Sequence, residues 1–167
     1  VTVGRVATAT ITASRSGFVT GSQTISGTAV TPAVQTVGGS DIQLQVPVSA
    51  TTSTTEVIVT IDIPVDAAPG STTFTGSAVA TDTVDQGLRT VKIGGTNAGS
   101  DVTTVSTPIA ITIPASAGIG VPVYSPDGIN WIELPLLANP ALPAGQDMGY
   151  YRYDDGTILI LTRKIGE

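Results

Sequence analysis

Apolar and polar residues alternate along several stretches of this chain, and this two-residue period limits the fold more than any other feature. The clearest case is residues 41–50, where every second residue is apolar: Ile42, Leu44, Val46 and Val48. Successive side chains of a strand point to opposite faces, so the pattern predicts a half-buried β-strand. Pro47 lies among the outward positions and has no N–H to donate, which predicts a strand at the edge of a sheet.

The same strand character recurs from end to end. Residues 1–13, 56–66, 72–83, 107–114 and 150–165 alternate or are rich in β-branched residues, with turn signals between them. No stretch repeats apolar residues at helical spacing. We therefore predict an all-β fold, an antiparallel β-sandwich of about ten strands with immunoglobulin-like or Greek-key connections.

Two Asp-Gly pairs predict hairpins. They are Asp127-Gly128 and Asp155-Gly156, each between runs with strand character. Asp-Gly supplies the positive φ angles of a two-residue type I′ turn. The first hairpin carries the only tryptophan, Trp131, and we expect this large side chain to be the main core anchor of the C-terminal half.

The length of 167 residues suits one domain. We expect a single β-sandwich over residues 1–167. Gly, Asn and Ser dominate residues 94–104, which predicts a flexible loop and places any internal boundary at 94–106. Prolines and glycines interrupt residues 135–149, so we predict an irregular arm laid over the sandwich.

Composition limits the partners of the chain. The net charge is −6 and the seven basic residues are scattered, which excludes a basic patch for nucleic acid or an anionic membrane. No apolar run is long enough to span a bilayer. A mean hydropathy of +0.31 with 12% charged residues predicts self-association, or cover by neighbouring modules or glycans. Abundant threonine and little lysine are typical of bacterial and archaeal surface proteins, so we expect an extracellular or cell-surface location.

Much of catalytic chemistry is excluded. The chain has no cysteine and no histidine, which removes thiol nucleophiles, Ser-His-Asp triads and most zinc sites. A carboxylate pair of the glycosidase kind remains, and Glu133 near Trp131 is the nearest approach to one. Glu133 is more simply a solvated strand residue. We predict that the protein is not an enzyme.

Calcium is the one metal for which suitable residues occur, because it takes oxygen ligands from loops. The candidate ligands are Asp62, Asp66, Asp82 and Asp85. None follows the order of an EF-hand loop. We expect no other cofactor.

Aromatic residues cluster in the last third of the chain. Exposed aromatic rings in a row would form a carbohydrate-binding or adhesive surface, and the candidates are Trp131, Tyr150 and Tyr151. Alternation places Tyr151 and Tyr153 on one face of their strand and Tyr150 on the other. The competing interpretation is that one face simply fills the core.

The segments YSPDGINWIEL, at residues 124–134, and YYRYDDGTILILTR, at residues 150–163, carry a resemblance. They resemble C-terminal parts of modular bacterial and archaeal surface proteins, including ZU5-like and immunoglobulin-like sandwiches. The resemblance implies a β-sandwich on a cell surface. The first segment is also similar to the sialidase Asp-box, but Gly128 follows Asp127 directly and Asn130 stands where Thr would precede Trp131, so no residue role is carried over.

Taken together, these patterns predict a non-catalytic extracellular structural module, either a stalk domain or a subunit of a filament. A long unpaired N-terminal strand would complete the sheet of a neighbouring copy by β-strand addition. The predicted assembly residues are Val1, Val3, Ala7, Ala9 and Ile11. The alternatives are a carbohydrate-binding or adhesive module and a viral or phage structural protein.

Overall fold

The computed structural model of the protein describes residues 7–13, 21–27, 33–36, 41–49, 56–79, 90–118, 120–127 and 130–166. The chain divides into two compact units, Val1–Thr31 and Pro32–Glu167. Strands dominate the described residues of both, and the one helical element among them is a 3-10 turn at Ala115–Ala117. The all-β prediction is confirmed, and the strand pairs are antiparallel.

The described residues of the first unit form one β-hairpin. Strand β1 (Ala7–Ala13) pairs antiparallel with β2 (Gly21–Gly27) in a two-stranded sheet of their own. The register runs from Ala7 opposite Gly27 to Ala13 opposite Gly21. The N-terminal strand was predicted to be unpaired, and this was wrong, because one edge of β1 is taken by β2. The predicted assembly residues Val1 and Val3 lie outside the described residues.

The second unit contains two larger sheets and a small one. Its strands are β3 (Ala33–Thr36), β4 (Ile42–Ser49), β5 (Glu56–Ile63), β6 (Thr73–Val79), β7 (Thr90–Asn97), β8 (Ser100–Asp101), β9 (Thr104–Ile113), β10 (Val123–Tyr124), β11 (Ile132–Glu133), β12 (Met148–Arg152) and β13 (Ile158–Lys164). The five-stranded sheet has the order β12-β13-β9-β5-β4, and the four-stranded sheet has the order β3-β6-β7-β8. Strands β10 and β11 pair with each other.

The alternation that predicted β4 is confirmed residue by residue. Its even-numbered residues from Ile42 to Val48 are buried, while Gln43 and Gln45 are exposed. Strand β5 repeats the pattern along its own apolar residues. The prediction for Pro47 is also confirmed, because β4 is the last strand of the five-stranded sheet and pairs only with β5.

One buried cluster draws on both larger sheets. Phe74 of β6 and Ile93 of β7 belong to the same cluster as the apolar residues of β4 and β5. A Cβ placed on Gly76 of β6 would lie 2.8 Å from Val46 Cγ2, which is closer than real Cβ atoms approach. Glycine at this position therefore allows β6 to lie directly against β4.

The flexible loop predicted at residues 94–104 is not found. Strand β7 continues through Gly94 and Gly95 to Asn97 and turns into β8 through two residues, Ala98 with φ 49° and Gly99 with φ 82°. Two successive positive φ angles are those of a type I′ hairpin turn. A Cβ on Gly95 would lie 2.9 Å from Ile165 Cδ1 and 3.4 Å from Phe74 Cε1. The glycines that indicated a loop therefore serve close packing within the second unit.

The Asp155-Gly156 hairpin forms with a turn one residue longer than predicted. Arg152 pairs with Ile158, and Tyr153 N–H donates to Thr157 O at 2.9 Å. Residues 154–156 make the loop, in which Gly156 has φ 87° and donates to Tyr153 O at 3.0 Å. A type I turn followed by a residue of positive φ is the usual three-residue hairpin loop.

Candidate functional site

Trp131 is not the core anchor that the sequence predicted. A two-residue turn at Asp127-Gly128 would place Tyr124 opposite Trp131, but Tyr124 pairs with Ile132. This shift by one residue puts Trp131 in the loop before β11, where it is half-buried and its Nε1 has no hydrogen-bond partner within the described residues. The buried residue of the hairpin is Leu134, which packs with Tyr150 and Ile158.

The shift has a local cause in the loop itself. Asp127 Oδ1 accepts hydrogen bonds from Asn130 N at 2.8 Å and from Ser125 Oγ at 3.1 Å, while Asp127 Oδ2 accepts from Asn130 Nδ2 at 2.5 Å. Asp side chains often bond to their own backbone a few residues on and so compete with regular strand pairing. The carboxylate therefore organises a wide loop instead of a tight turn.

The three aromatic candidates do not form one surface. Tyr150 is only 8% exposed and packs with Leu134, so it is not part of an exposed aromatic surface. Tyr151 and Tyr153 follow the predicted alternation. Their rings meet edge to face, with centroids 5.0 Å apart, and Tyr153 is 40% exposed.

Tyr151 stands at the end of a row that crosses the five-stranded sheet. The register places these residues side by side on successive strands: Tyr151, Leu159, Thr112, Thr60 and Gln45. In the next row Gln43 Nε2 donates to Asp62 Oδ1 at 2.7 Å. This face is therefore aromatic and apolar at β12 and β13, and polar at β5 and β4.

The acidic candidates do not come together within the described residues. Asp62 bonds to Gln43, whereas Asp66 Oδ2 accepts from Thr107 Oγ1 at 2.8 Å in the turn after β5. Asp82 and Asp85 lie outside the described residues. In the part of the chain that is described, no group of three acidic side chains is positioned to hold a metal ion. Glu133 is exposed on β11 opposite Val123.

A shallow depression of about 370 Å³ lies beside β10 and the end of β13. Lys164 is the one ionisable side chain among its lining residues that carries a positive charge, and its Nζ pairs with Asp147 Oδ2 at 3.4 Å. Both side chains are about half exposed, so solvent screens this ion pair and it contributes little to stability.

In the described part of the second unit, the edge strands of the two larger sheets are each short, interrupted or covered. Strand β4 carries Pro47, and β12 is covered by the chain that follows β11: Leu137 N–H donates to Tyr150 O at 2.7 Å and Tyr150 N–H donates to Pro135 O at 2.9 Å. This places the predicted irregular arm along a sheet edge at residues 135–137. Strand β3 has four residues and β8 has two. Short strands, proline and covering segments are the usual protection of sheet edges.

The hairpin of the first unit has none of these protections in its described strands. Strands β1 and β2 are each seven residues long, and their sequences, ATATITA and GSQTISG, contain no proline and no charged residue. Among the described residues, each of these strands has one strand partner. Sequence reasoning identified the N-terminal strand as an assembly element and predicted a short strand over residues 23–30, where the structure has β2 at Gly21–Gly27.

No protein-family model matches the chain, and no match was found among curated proteins or solved structures. Among the described residues, no helix is both long enough and apolar enough to cross a membrane.

Proposed function

We propose that the protein is a non-catalytic extracellular structural module that associates by β-strand addition through its N-terminal hairpin. The module would act at a cell surface, as a stalk domain or as the subunit of a filament. We also propose that the five-stranded and four-stranded sheets are the two layers of a β-sandwich with immunoglobulin-like or Greek-key connections. The buried cluster shared by β4, β5, β6 and β7 supports this arrangement.

The contrast between protected and unprotected edges carries the proposal. An edge strand presents unpaired N–H and C=O groups, and a long, uncharged, proline-free edge is a template for another strand. Within the described residues, β1 and β2 are the strands that keep this character, while β4 and β12 are interrupted or covered. A two-stranded hairpin is marginally stable in water and gains most from a third strand.

The charge balance of the chain supports the same function. Only 12% of the residues are charged, about half the share of an ordinary soluble domain. The net charge of −6 repels a second copy, but β1 and β2 carry no charged residue, so the pairing edges themselves do not repel each other.

The test places like charges on the hairpin of the full chain. We expect the unmodified chain to sediment as dimers or larger species, and a variant with Ile11→Lys and Ile25→Lys to sediment as a monomer. The matched control carries Thr96→Lys and Ser116→Lys, which add the same charge at exposed positions of the second unit. Deletion of residues 1–13 should also abolish polymers. Association that survives both hairpin changes would refute the proposal.

Carbohydrate binding is the second candidate, and the contact between half-buried Tyr151 and exposed Tyr153 favours it. Tyrosine rings bind sugar faces, and Gln43, Gln45 and Asp62 offer hydrogen-bonding groups at the other end of the same sheet face. Calorimetric titration with oligosaccharides should then give heat that Tyr153→Ala removes and Ile132→Ala preserves. If no oligosaccharide gives heat, carbohydrate binding is rejected and the structural function is the remaining candidate.

A further inference from the structure

We propose that the partner of the N-terminal hairpin is a second copy of this chain, joined through β1 alone. In the joined state, β1 pairs antiparallel with β1 of the second copy about a two-fold axis at Thr10. This inference rests on the proposed function, because it names the partner of the same hairpin.

The sequence of β1 is nearly the same read from either end around Thr10. Antiparallel pairing about that residue places Ala7 opposite Ala13, Thr8 opposite Thr12 and Ala9 opposite Ile11 of the second copy. Threonine thus stands opposite threonine and an apolar residue opposite an apolar residue. Matched cross-strand pairs of this kind are the units that stabilise a sheet.

The register of the hairpin extends this match over four strands. Within one chain, Thr8, Thr10 and Thr12 are the partners of Ser26, Thr24 and Ser22. In the joined state every hydroxyl-bearing residue of β1 would therefore have a hydroxyl-bearing residue on both neighbouring strands. The sheet would have the order β2-β1-β1-β2, above the three strands needed for independent stability.

The other edge of the hairpin is a poorer match for itself. Antiparallel pairing of β2 with a second β2 about Thr24 would place polar Gln23 opposite apolar Ile25 and glycine opposite glycine at both ends. Glycine weakens strand pairing because it brings no side chain to pack and loses more entropy. Homotypic pairing should therefore choose β1. A two-fold contact of this kind closes a dimer, so the inference agrees with the stalk domain of the proposed function and not with the filament.

The experiment uses single cysteines, since the natural chain has none. Residues directly opposite in an antiparallel pair have Cα atoms about 4.5 to 5.5 Å apart, which a disulfide spans. Full-length Thr10→Cys should therefore form a disulfide-linked dimer under mild oxidation. Thr8→Cys should not, because its counterpart lies four residues along the strand, about 13 Å away. Thr24→Cys is the matched control on β2, and a mixture of Thr8→Cys and Thr12→Cys chains should form a mixed dimer.

Four outcomes would overturn the inference. Disulfide dimers from every single variant of β1 would show parallel pairing, and a disulfide only between Thr10→Cys and Thr24→Cys chains would show pairing of β1 with β2. The absence of any disulfide, while sedimentation still shows association that the hairpin lysines abolish, would reject β1 pairing and keep strand addition. A chain that is monomeric throughout would reject both.

Discussion

At the scale of single residues, two glycines with different surroundings should respond differently to the same change. Gly76→Ala would bring a Cβ within 2.8 Å of Val46 Cγ2 and 3.1 Å of Ile61 Cδ1. The branched valine cannot swing aside, so we expect a loss of about 1–3 kcal/mol in the free energy of unfolding. The control is Gly70→Ala, which meets nothing within 4 Å. Urea denaturation measures both, and equal stabilities would contradict the close approach of β6 to β4.

Thr72 is buried completely and is polar, which makes its hydroxyl a second sensitive position. Its Oγ1 donates to Pro69 O at 2.7 Å and accepts from Asn97 Nδ2 at 3.0 Å. Thr72→Val keeps the shape of the side chain and removes both hydrogen bonds, so the free energy of unfolding should fall by about 1–3 kcal/mol. Thr96→Val, at an exposed position of β7, should change stability little. A Thr72→Val protein as stable as the natural one would show that the two bonds contribute nothing net.

Single positions were predictable where burial alone decides them. The inward residues of β4 followed from alternation because one face of that strand is buried and the other is not. Trp131 was mispredicted because its place depends on a one-residue register, and such a slip moves every side chain to the opposite face. The hydrogen bonds from Ser125 and Asn130 to the Asp127 carboxylate accompany that register, and an Asp-Gly pair in sequence does not distinguish this arrangement from a tight turn.

At the scale of elements, Pro47 should protect the outer edge of β4. Pairing with β5 runs in register through Pro47 and Ile58, so the missing donor lies toward the open side of the strand. Pro47→Thr restores that N–H, and we expect the protein to stay folded while light scattering during incubation rises. Gln45→Thr raises strand propensity on the same strand without adding a donor and should leave scattering unchanged. Equal scattering from both variants would assign the protection of β4 to another feature.

The loop between β10 and β11 should depend on the carboxylate of Asp127. Asp127→Ala removes the acceptor of the bonds from Ser125 and Asn130, which leaves the loop free to rearrange around Trp131. The single tryptophan reports this directly, because its fluorescence should shift to longer wavelength and become easier to quench. Asp155→Ala, in the other hairpin, should leave the emission as it is. An unchanged spectrum in Asp127→Ala would mean that Trp131 is held by other contacts.

Element types were predictable and one connection was not. Gly94, Gly95 and Gly99 indicated a loop, yet only Gly99 has the positive φ of a turn. Gly95 lies within a strand, and the residue there is glycine because Ile165, Val102 and Phe74 leave no room for a Cβ. That crowding arises between residues distant in sequence, so local composition carries no trace of it.

At the scale of the second unit, the residues after β13 join the two larger sheets. Ile165 N–H donates to Thr103 O and Gly166 N–H donates to Ile93 O, both at 3.0 Å, and the Ile165 side chain is 5% exposed. Ile165→Ala should lower the free energy of unfolding by about 2–5 kcal/mol because it opens a cavity beside Gly95. Ile132→Ala, at a position 58% exposed, is the matched control. Thermal unfolding compares the two, and similar losses would show that the segment after β13 contributes little.

The strand order of the five-stranded sheet has a consequence for how quickly the molecule forms. Strands β4 and β5 pair with each other and are consecutive in sequence. Strand β5 also pairs with β9, and β6, β7 and β8 lie between these two strands in sequence. Pairing between distant segments loses loop-closure entropy before its contacts stabilise the chain. The pairing of β5 with β9 should therefore be the slow step of folding. Before β9 pairs with it, β5 has an unpaired edge beside its apolar side chains. The folding chain is most prone to aggregate at this stage.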